Sequence, residues 1–418
     1  MTSYYQIRKN INWRKEEGVC MLLDPTTRKL QVYDTNVSDS VSNEGVIRES
    51  NIDRKFLLFL KQHKIIRKLQ KTPAHGDYSL KQLSAPLNVT IQVTDRCNLL
   101  CAHCHRDTKN TSTMSLPMFK KIVTELRKLH VFNVNISGGE PLLIPELPQM
   151  IAFVSQQGMR VTMSTNGILF TEKLVNQVYD VGLRHVHISL DSHLPNKHDA
   201  MRGIQGACNR MIQNLPLLQK NGILFTLVTT LIAQSPREYG KTIDRAYLLG
   251  ASAHKTNTLI PSCPSQAQQA NYLQNPAAIL PYMAVWKKKR KEFAGKMNVL
   301  AETMFAIQIG QDVICPTEAP PIFQHGCPAA LLTCSVTQKG DVLPCPFFSG
   351  VILGNISKSS FSKIWESSLA MKFRNRKMIL VCGTCTDKDS CGGCRARSFG
   401  MFGKQKREDS VCFIYNAA

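Results

Sequence analysis

The sequence predicts an α/β chain: a partial (β/α)6 barrel, preceded by a small α+β domain and followed by a cysteine-rich one. Three observations carry that expectation. From Leu87 onward, strand-like apolar runs alternate six times with amphipathic helical stretches, the pattern of a parallel sheet covered by helices. Residues 1–85 carry hairpin and helix signals at a different spacing. Residues 311–418 are rich in Cys and Gly and short of long periodic segments, so bound metal rather than a large apolar core is expected to hold them. The domains expected are therefore 1–85, 86–310 and 311–418.

In the first domain, Gly18–Leu23 and Lys29–Tyr33 read as a hairpin turning at Asp24-Pro25-Thr26-Thr27, where Pro25 sets one dihedral and Asp24 bonds its own backbone. Ser38–Glu49 is polar and expected to be loose. Ile52–Leu69 reads as a helix with Phe56, Leu57, Phe59, Leu60, Ile65 and Ile66 toward a core. In the barrel the expected strands are Leu87–Val93, Phe132–Ser137, Arg160–Ser164, His185–Leu190, Leu224–Leu231 and Ala253–Leu259. The helices between them are Leu116–Leu129, Glu146–Gln157, Glu172–Val181, Ala207–Asn221 and Arg237–Leu249. Six units predict an open barrel, with its chemistry at the C-terminal strand ends. Residues 277–310 read as a helical bridge to the last domain.

Composition narrows the setting. Hydrophobic residues make up 43%, as in ordinary globular proteins. No run of about 18 apolar residues is present, so a transmembrane helix is not expected, and the first residues lack the apolar stretch of a secretory signal. A cytoplasmic, reducing location is expected. The formal charge of +22 favours anionic partners. The basic run Lys287–Lys291 follows an apolar helical stretch and lacks interleaved aromatics, so it reads as a solvated helix end; neither nucleic acid nor membrane is an expected partner.

The chain has 15 cysteines. In a reducing compartment, clustered thiols are read as metal ligands rather than disulfides. Cys97, Cys101 and Cys104 form one group; Cys327, Cys334, Cys345, Cys382, Cys385, Cys391, Cys394 and Cys412 form another. Cys20, Cys208, Cys263 and Cys315 stand alone and read as small buried or surface residues. The first group, Cys97-Asn-Leu-Leu-Cys101-Ala-His-Cys104, directly follows the first barrel strand. Three thiolates on one short loop can ligate three irons of a [4Fe–4S] cube and leave the fourth iron open; a zinc site is the alternative from spacing alone.

This spacing after a first strand resembles the radical S-adenosylmethionine (SAM) superfamily. The resemblance extends to Gly138-Gly139-Glu140-Pro141 after the second strand, Ser164-Thr165-Asn166-Gly167 after the third, and Ser189-Leu190-Asp191 with Arg202-Gly203 after the fourth. It implies that SAM occupies the open iron site of a catalytic [4Fe–4S] cluster, and that reduction cleaves SAM to methionine and a 5′-deoxyadenosyl radical that abstracts hydrogen from a substrate. It further implies that Gly138, Gly139 and Glu140 belong to the segment near the SAM amino group. Ser164, Thr165 and Asn166 would lie near the ribose, and Ser189 and Arg202 near the carboxylate, with Asp191 beside them. His105 stands where the family usually has an aromatic residue.

The second cysteine group resembles the SPASM extension of such enzymes: Cys327, twelve residues, Gly340-Asp-Val-Leu-Pro-Cys345, then Cys382, Cys385, Cys391, Cys394 and Cys412. It departs from the family pattern in having two residues, Gly392 and Gly393, between Cys391 and Cys394, where three are usual. By resemblance the C-terminal domain is an iron–sulfur domain with two auxiliary [4Fe–4S] clusters. Cys327, Cys345 and Cys394 would hold the first, and Cys382, Cys385, Cys391 and Cys412 the second. Cys334 is either an extra ligand of the first or a buried strand residue between Leu332 and Val336. Trp365 reads as packing for this domain. Pro346 stands where anaerobic sulfatase-maturating members carry an acidic residue, which counts against that activity.

The resemblance is to maturases of ribosomally made peptides and to alternative-haem pathway enzymes. The hairpin-plus-helix start resembles a leader-recognition domain, so a precursor peptide is the preferred substrate, with a tetrapyrrole side chain as the alternative and an iron–sulfur carrier or scaffold as a non-catalytic third. An electron donor such as flavodoxin or ferredoxin is implied. No radical-quenching or proton-accepting side chain is identified from sequence.

Overall fold

Strands of alternating β-branched and polar residues build one ten-stranded sheet, with six parallel strands at its centre and short strands added at both edges. The structure is a computed structural model that describes residues 4–8, 11–16, 19–23, 30–33, 41, 46–48, 52, 54–63, 65–69, 83–105, 111–261, 269–302, 327–348, 350–375, 382–385, 391–403, 409 and 412. Its centre is six parallel strands: β7 (Asn88–Gln92), β8 (Asn133–Ser137), β9 (Arg160–Thr165), β10 (His185–Ser189), β11 (Leu224–Leu231) and β12 (Ala253–Thr258). All six expected strands form.

Side chains alternate across a strand, and the two faces differ sharply. Val89 and Ile91, Val134 and Ile136, Val161 and Met163, and Val186 and Ile188 are buried beneath the helices. Their neighbours Thr90, Gln92, Asn135, Ser137, Ser164 and His187 line an interior cavity. The covering helices are Leu116–Lys128, Leu147–Gln156, Glu172–Asp180, Ala207–Lys220 and Pro236–Leu248. Three start on side-chain caps: Ser115, Thr171, and Ser235 in a capping box with Glu238. Each such cap contributes about 1 kcal/mol. An additional helix, Pro195–Arg202, follows β10.

Four short strands extend the barrel sheet. The expected helical bridge contains the helix Leu280–Glu292, but Asn298–Ala301 is β13, pairing parallel with β12. At the other edge, β14 (Thr333–Val336) pairs parallel with β7, followed by antiparallel β15 (Asp341–Leu343) and β16 (Gly354–Asn355). The C-terminal region is thus sewn into the barrel sheet. It also shares the barrel's apolar core, into which Phe348, Phe361, Trp365 and Phe373 pack. Metal ligation is therefore not its only support. Trp365 is buried, with its N–H on the Leu83 carbonyl at 3.0 Å and the Arg374 guanidinium over its ring at 4.1 Å.

The N-terminal domain holds two three-stranded sheets. β1 (Tyr4–Ile7) lies between β5 (Val46–Arg48) and β6 (Ile66–Leu69), and β3 (Val19–Leu23) lies between β2 (Trp13–Glu16) and β4 (Leu30–Tyr33). The hairpin strands form, while their turn, 24–27, lies outside the described residues. The expected helix over 52–69 is shorter, Arg54–Gln62. Ile65 and Ile66 are buried, but Ile66 belongs to a strand, because β1 offers a hydrogen-bonding partner that the local pattern could not reveal. Val46–Arg48, expected to be loose, pairs with the same strand.

This domain rests against the N-terminal end of the barrel. Asn12 Nδ2 donates to the Val131 carbonyl at 2.7 Å, and Glu16 accepts from the Ser84 hydroxyl at 2.7 Å. Arg14 pairs with Glu16 at 3.1 Å and lies 5.5 Å from the Phe132 ring centroid; burial pulls it down to about 10, with Glu16 opposing. Among the described residues no helix is long and apolar enough to cross a membrane.

Candidate active site

The loop after β7 carries Cys97, Cys101 and Cys104 to the mouth of a cavity of about 930 Å3 at the C-terminal strand ends. Two close backbone approaches hold that loop. On one side, Gly139 N–H donates to Thr94 O at 2.7 Å and Glu140 N–H to Arg96 O at 2.9 Å. A Cβ on Gly139 would lie 2.6 Å from the Arg96 carbonyl carbon, so only glycine fits. On the other side, Leu100 N–H donates to Arg202 O at 3.1 Å and Ala102 N–H to Met201 O at 3.0 Å. Here Gly203, with φ +73°, closes the helix against Leu100.

The remaining expected cofactor contacts converge on the same cavity. Gly138, Gly139, Glu140, Ser164, Thr165, Asn166, Ser189 and Arg202 all line it. Several act on one another. Glu140 is fully buried, and its carboxylate accepts from Thr165 Oγ1 at 2.7 Å, Asn166 N at 2.8 Å and Leu142 N at 3.0 Å. It joins the second and third motifs; burial raises its pKa, against the pull of those donors. Asn166 Nδ2 donates to Asn98 Oδ1 at 2.7 Å, tying the third motif to the cysteine loop.

Asp191 does not line the cavity. It is fully buried behind Arg202, whose guanidinium it holds at 2.5 Å. Burial alone would push Asp191 up; Arg202, His103, His198 and the Thr230 N–H together outweigh it and hold the carboxyl below its ordinary value. Arg202 Nη1 reaches Cys101 Sγ at 3.6 Å. Burial raises the Cys101 thiol, and Arg202 opposes. Sequence reasoning missed two supports. Gln234 Nε2 donates to Asp191 O at 2.7 Å, and Asp191 N–H donates to His198 Nδ1 at 3.2 Å. Only His198 stood near a recognisable motif.

The auxiliary cysteines fall into two neighbourhoods. Cys327, Cys345 and Cys394 line a second cavity of about 440 Å3, which shares His103, Thr230, Lys255 and Asn257 with the first. Burial pushes Cys345 up to about 12, and Cys327 adds to it; Cys394 is likewise raised by burial, with Cys327 among its charged neighbours. Burial also raises Cys382 to about 11 and Cys391 to about 12; each feels Cys412, and Cys382 also feels Cys385. Cys334 does not line the second cavity. It is fully buried in the apolar core, while its neighbour Thr333 lines the cavity.

A charged knot that sequence gave no sign of underlies both sets. Fully buried Arg397 places Nη1 2.9 Å from both Asp409 oxygens and Nη2 3.0 and 3.1 Å from those of Glu302. Asp409 Oδ2 accepts the Cys394 N–H at 2.6 Å.

Three thiols on one clamped loop, beside a cationic and hydroxyl-lined cavity, fit an iron–sulfur cube with an exchangeable polar ligand. Among the described residues no three His, Cys, Asp or Glu side chains converge on a single-ion site. His105 packs edge-on against Phe347 at 4.8 Å. Of the lone cysteines, Cys20 and Cys208 are buried, and Cys263 and Cys315 lie outside the described residues. In the basic run, Lys289 pairs with Asp244 at 2.5 Å and Glu292 at 3.0 Å.

Comparison with known proteins agrees with this geometry. The family model described as the Radical SAM superfamily matches residues 91–246, and SPASM, an iron-sulfur cluster-binding domain, matches residues 327–386. The chain is similar to the AdoMet-dependent heme synthase of Methanosarcina barkeri, 27% identical over 345 residues, covering 79% of this chain and 97% of that protein. It is also similar to the mycofactocin maturase MftC of Mycobacterium tuberculosis, 28% identical over 341 residues, covering 76% of this chain and 80% of that one. Among solved structures it matches the crystal structure of Streptococcus suis SuiB bound to precursor peptide SuiA, with TM-score 0.71 and 15% identity over 98% of this chain and 100% of that one.

Proposed function

Taking as premise that the chain is an enzyme with a radical SAM domain and a SPASM iron–sulfur domain, we propose that it abstracts hydrogen from a ribosomally made precursor peptide during post-translational modification. Its cofactors are SAM, a catalytic [4Fe–4S] cluster and auxiliary [4Fe–4S] clusters. When bound and reduced, the catalytic cluster supplies the electron that splits SAM into methionine and the 5′-deoxyadenosyl radical that takes the hydrogen.

The chain's own residues place and shield that chemistry. Cys97, Cys101 and Cys104 hold the catalytic cluster on the clamped loop. All lining the cavity, Gly138 and Gly139 would admit SAM close to backbone, Ser164, Thr165 and Asn166 would serve its ribose, and Ser189 and Arg202 its carboxylate. Arg202 suits a carboxylate because its hydrogen bonds are charge-assisted; Asp191 positions Arg202, and Glu140 positions Thr165 and Asn166. Cys327, Cys345 and Cys394 hold the first auxiliary cluster, and Cys382, Cys385, Cys391 and Cys412 the second. Cys334 belongs to the core. The electron comes from a flavodoxin or ferredoxin, in the cytoplasm.

The observation that carries the peptide reading is the N-terminal domain. The fold match to peptide-bound SuiB spans 98% of this chain and so takes in that domain, whereas the heme synthase match covers 79% of this chain while using 97% of that protein. A domain of small open sheets can accept a leader peptide as an added strand. The second reading, tetrapyrrole side-chain modification, is supported by the heme synthase relatives. Mass spectrometry of candidate precursor peptides after anaerobic reaction with reconstituted enzyme, SAM and reductant tests the proposal. The expected result is a modified peptide with matching 5′-deoxyadenosine. Modification of a tetrapyrrole alone, with every peptide unchanged, would overturn it.

A further inference from the structure

Strand β12 turns Lys255 and Asn257 inward, and both line the catalytic cavity as well as the one that reaches Cys327, Cys345 and Cys394. Lys255 is a cation in a lining that also holds Thr90, His103, Thr230, Asn257 and the carboxylate Glu302. Among the described residues it makes no ion pair. The carboxylate it feels, Glu302, is already engaged by Arg397 at 3.0 and 3.1 Å and by the Thr258 N–H at 2.9 Å. Glu140 is held by three donors and Asp191 by Arg202. Each of these carboxylates has hydrogen-bond partners, Glu302 shares Arg397 with Asp409, and no described carboxylate stands within ion-pair distance of the lysine.

An ammonium withdrawn from water without a counter-ion is destabilised. Burial accordingly pulls Lys255 below the ordinary lysine range, with Glu302 opposing. An arriving anion would relieve that cost. Strand register also places the lysine. Ser189 pairs with Val228, and Val228 with Lys255. Lys255 therefore stands level with Ser189, two strand spacings or about 10 Å away. That separation leaves room for a substrate group between the SAM-contacting wall and the lysine.

We propose that Lys255 binds a carboxylate of the substrate, with Asn257 as a second donor, and so holds the reacting end between the catalytic loop and the first auxiliary set. The inference rests on the radical SAM reading above and adds that the substrate is acidic where it reacts. The carboxylate has three sources of one chemistry: a peptide C-terminus, an acidic side chain or a tetrapyrrole propionate.

The test uses anaerobically reconstituted enzyme with SAM and no reductant, and measures binding by calorimetry. Three probe pairs are compared: N-acetyl-tetraalanine as acid and as C-terminal amide; an N-acetylated, amidated pentapeptide with a central Glu or Gln; and a porphyrin tetracarboxylate with its tetramethyl ester. In the wild type at least one acid should bind about tenfold or more tighter than its neutral partner, the size of a charge-assisted hydrogen bond. Lys255→Met should cut that preference to about twofold or less, and Lys255→Arg should retain most of it. Circular dichroism and iron content check that both variants fold. The proposal is overturned if no acid is preferred in the wild type, if the preference survives Lys255→Met, or if Lys255→Met weakens SAM binding and leaves the preference intact. A response confined to the porphyrin pair would sink the peptide reading and leave Lys255 in its role.

Discussion

Gly139→Ala should be among the most damaging single-methyl additions to this protein. The added Cβ would stand 2.6 Å from the Arg96 carbonyl carbon and 2.8 Å from the Asp95 carbonyl oxygen, both of them backbone atoms with no rotamer to yield. The glycine loop must then withdraw from the cysteine loop and give up the Gly139–Thr94 and Glu140–Arg96 hydrogen bonds, 2.7 and 2.9 Å long. Two such bonds contribute about 1 kcal/mol each, and overpacking a closed site costs about 1–3 kcal/mol. The sum is about 3–5 kcal/mol, borne where the iron and SAM sites meet. If about 3 kcal/mol of it falls on the bound geometry, SAM affinity drops more than about a hundredfold. Gly222→Ala is the control: its φ is +69° and nothing lies within 4 Å of its Cβ position, so it carries only the left-handed backbone cost of about 1–2 kcal/mol. The assay is denaturant unfolding of the apoprotein, followed by iron content and SAM dissociation constant after anaerobic reconstitution. A Gly139→Ala protein that binds iron and SAM as well as Gly222→Ala does would refute the reasoning.

Other substitutions probe the remaining supports. Arg397→Met leaves buried Asp409 and half-buried Glu302 without their shared cation, and should cost about 3–5 kcal/mol and shed auxiliary iron before catalytic iron, read by Mössbauer spectroscopy; a protein with full auxiliary iron contradicts this. Cys334→Ser should keep its full iron and lose about 1–3 kcal/mol by placing a hydroxyl in the apolar core, whereas Cys345→Ser should lose the first auxiliary cluster; equal iron loss in the two would make Cys334 a ligand after all. Asp191→Asn should weaken SAM binding about tenfold by loosening Arg202. Because Asp191 titrates below its ordinary value, its stabilisation is complete above the unfolded value of about 3.9 and fades as pH falls through the folded one. Acid unfolding should therefore be shallower in Asp191→Asn, and an unchanged acid limb would contradict the pairing.

The barrel was readable because its signals are local. Strands such as Asn133–Ser137 and Arg160–Thr165 carry their alternation within five or six residues, and the helices between them announce their caps. Asn298–Ala301 and Thr333–Val336 are four residues each, too short to show a period; they are strands because β12 and β7 offer free edges. Ile65 and Ile66 continue the apolar pattern of the helix before them, and only the pairing of Ile66–Leu69 with Tyr4–Ile7 makes a strand there.

The covalent chain alone determined the kind of chemistry. Three thiols within eight residues can reach one cluster whatever surrounds them, and a strand ending just before them points them at a barrel mouth. Only the assembled molecule decided which distant groups share that mouth. The register of β14 turned Cys334 into the core. The docking of Glu302 and Asp409 enclosed Arg397, and the inward face of β12 left Lys255 beside the cavity, outside ion-pair distance of any described carboxylate. Ligand spacing is set by bond lengths along a loop, whereas the company a buried charge keeps is set by how segments pack in space, as when Glu302 comes to Arg397 from 95 residues away, which no local pattern encodes.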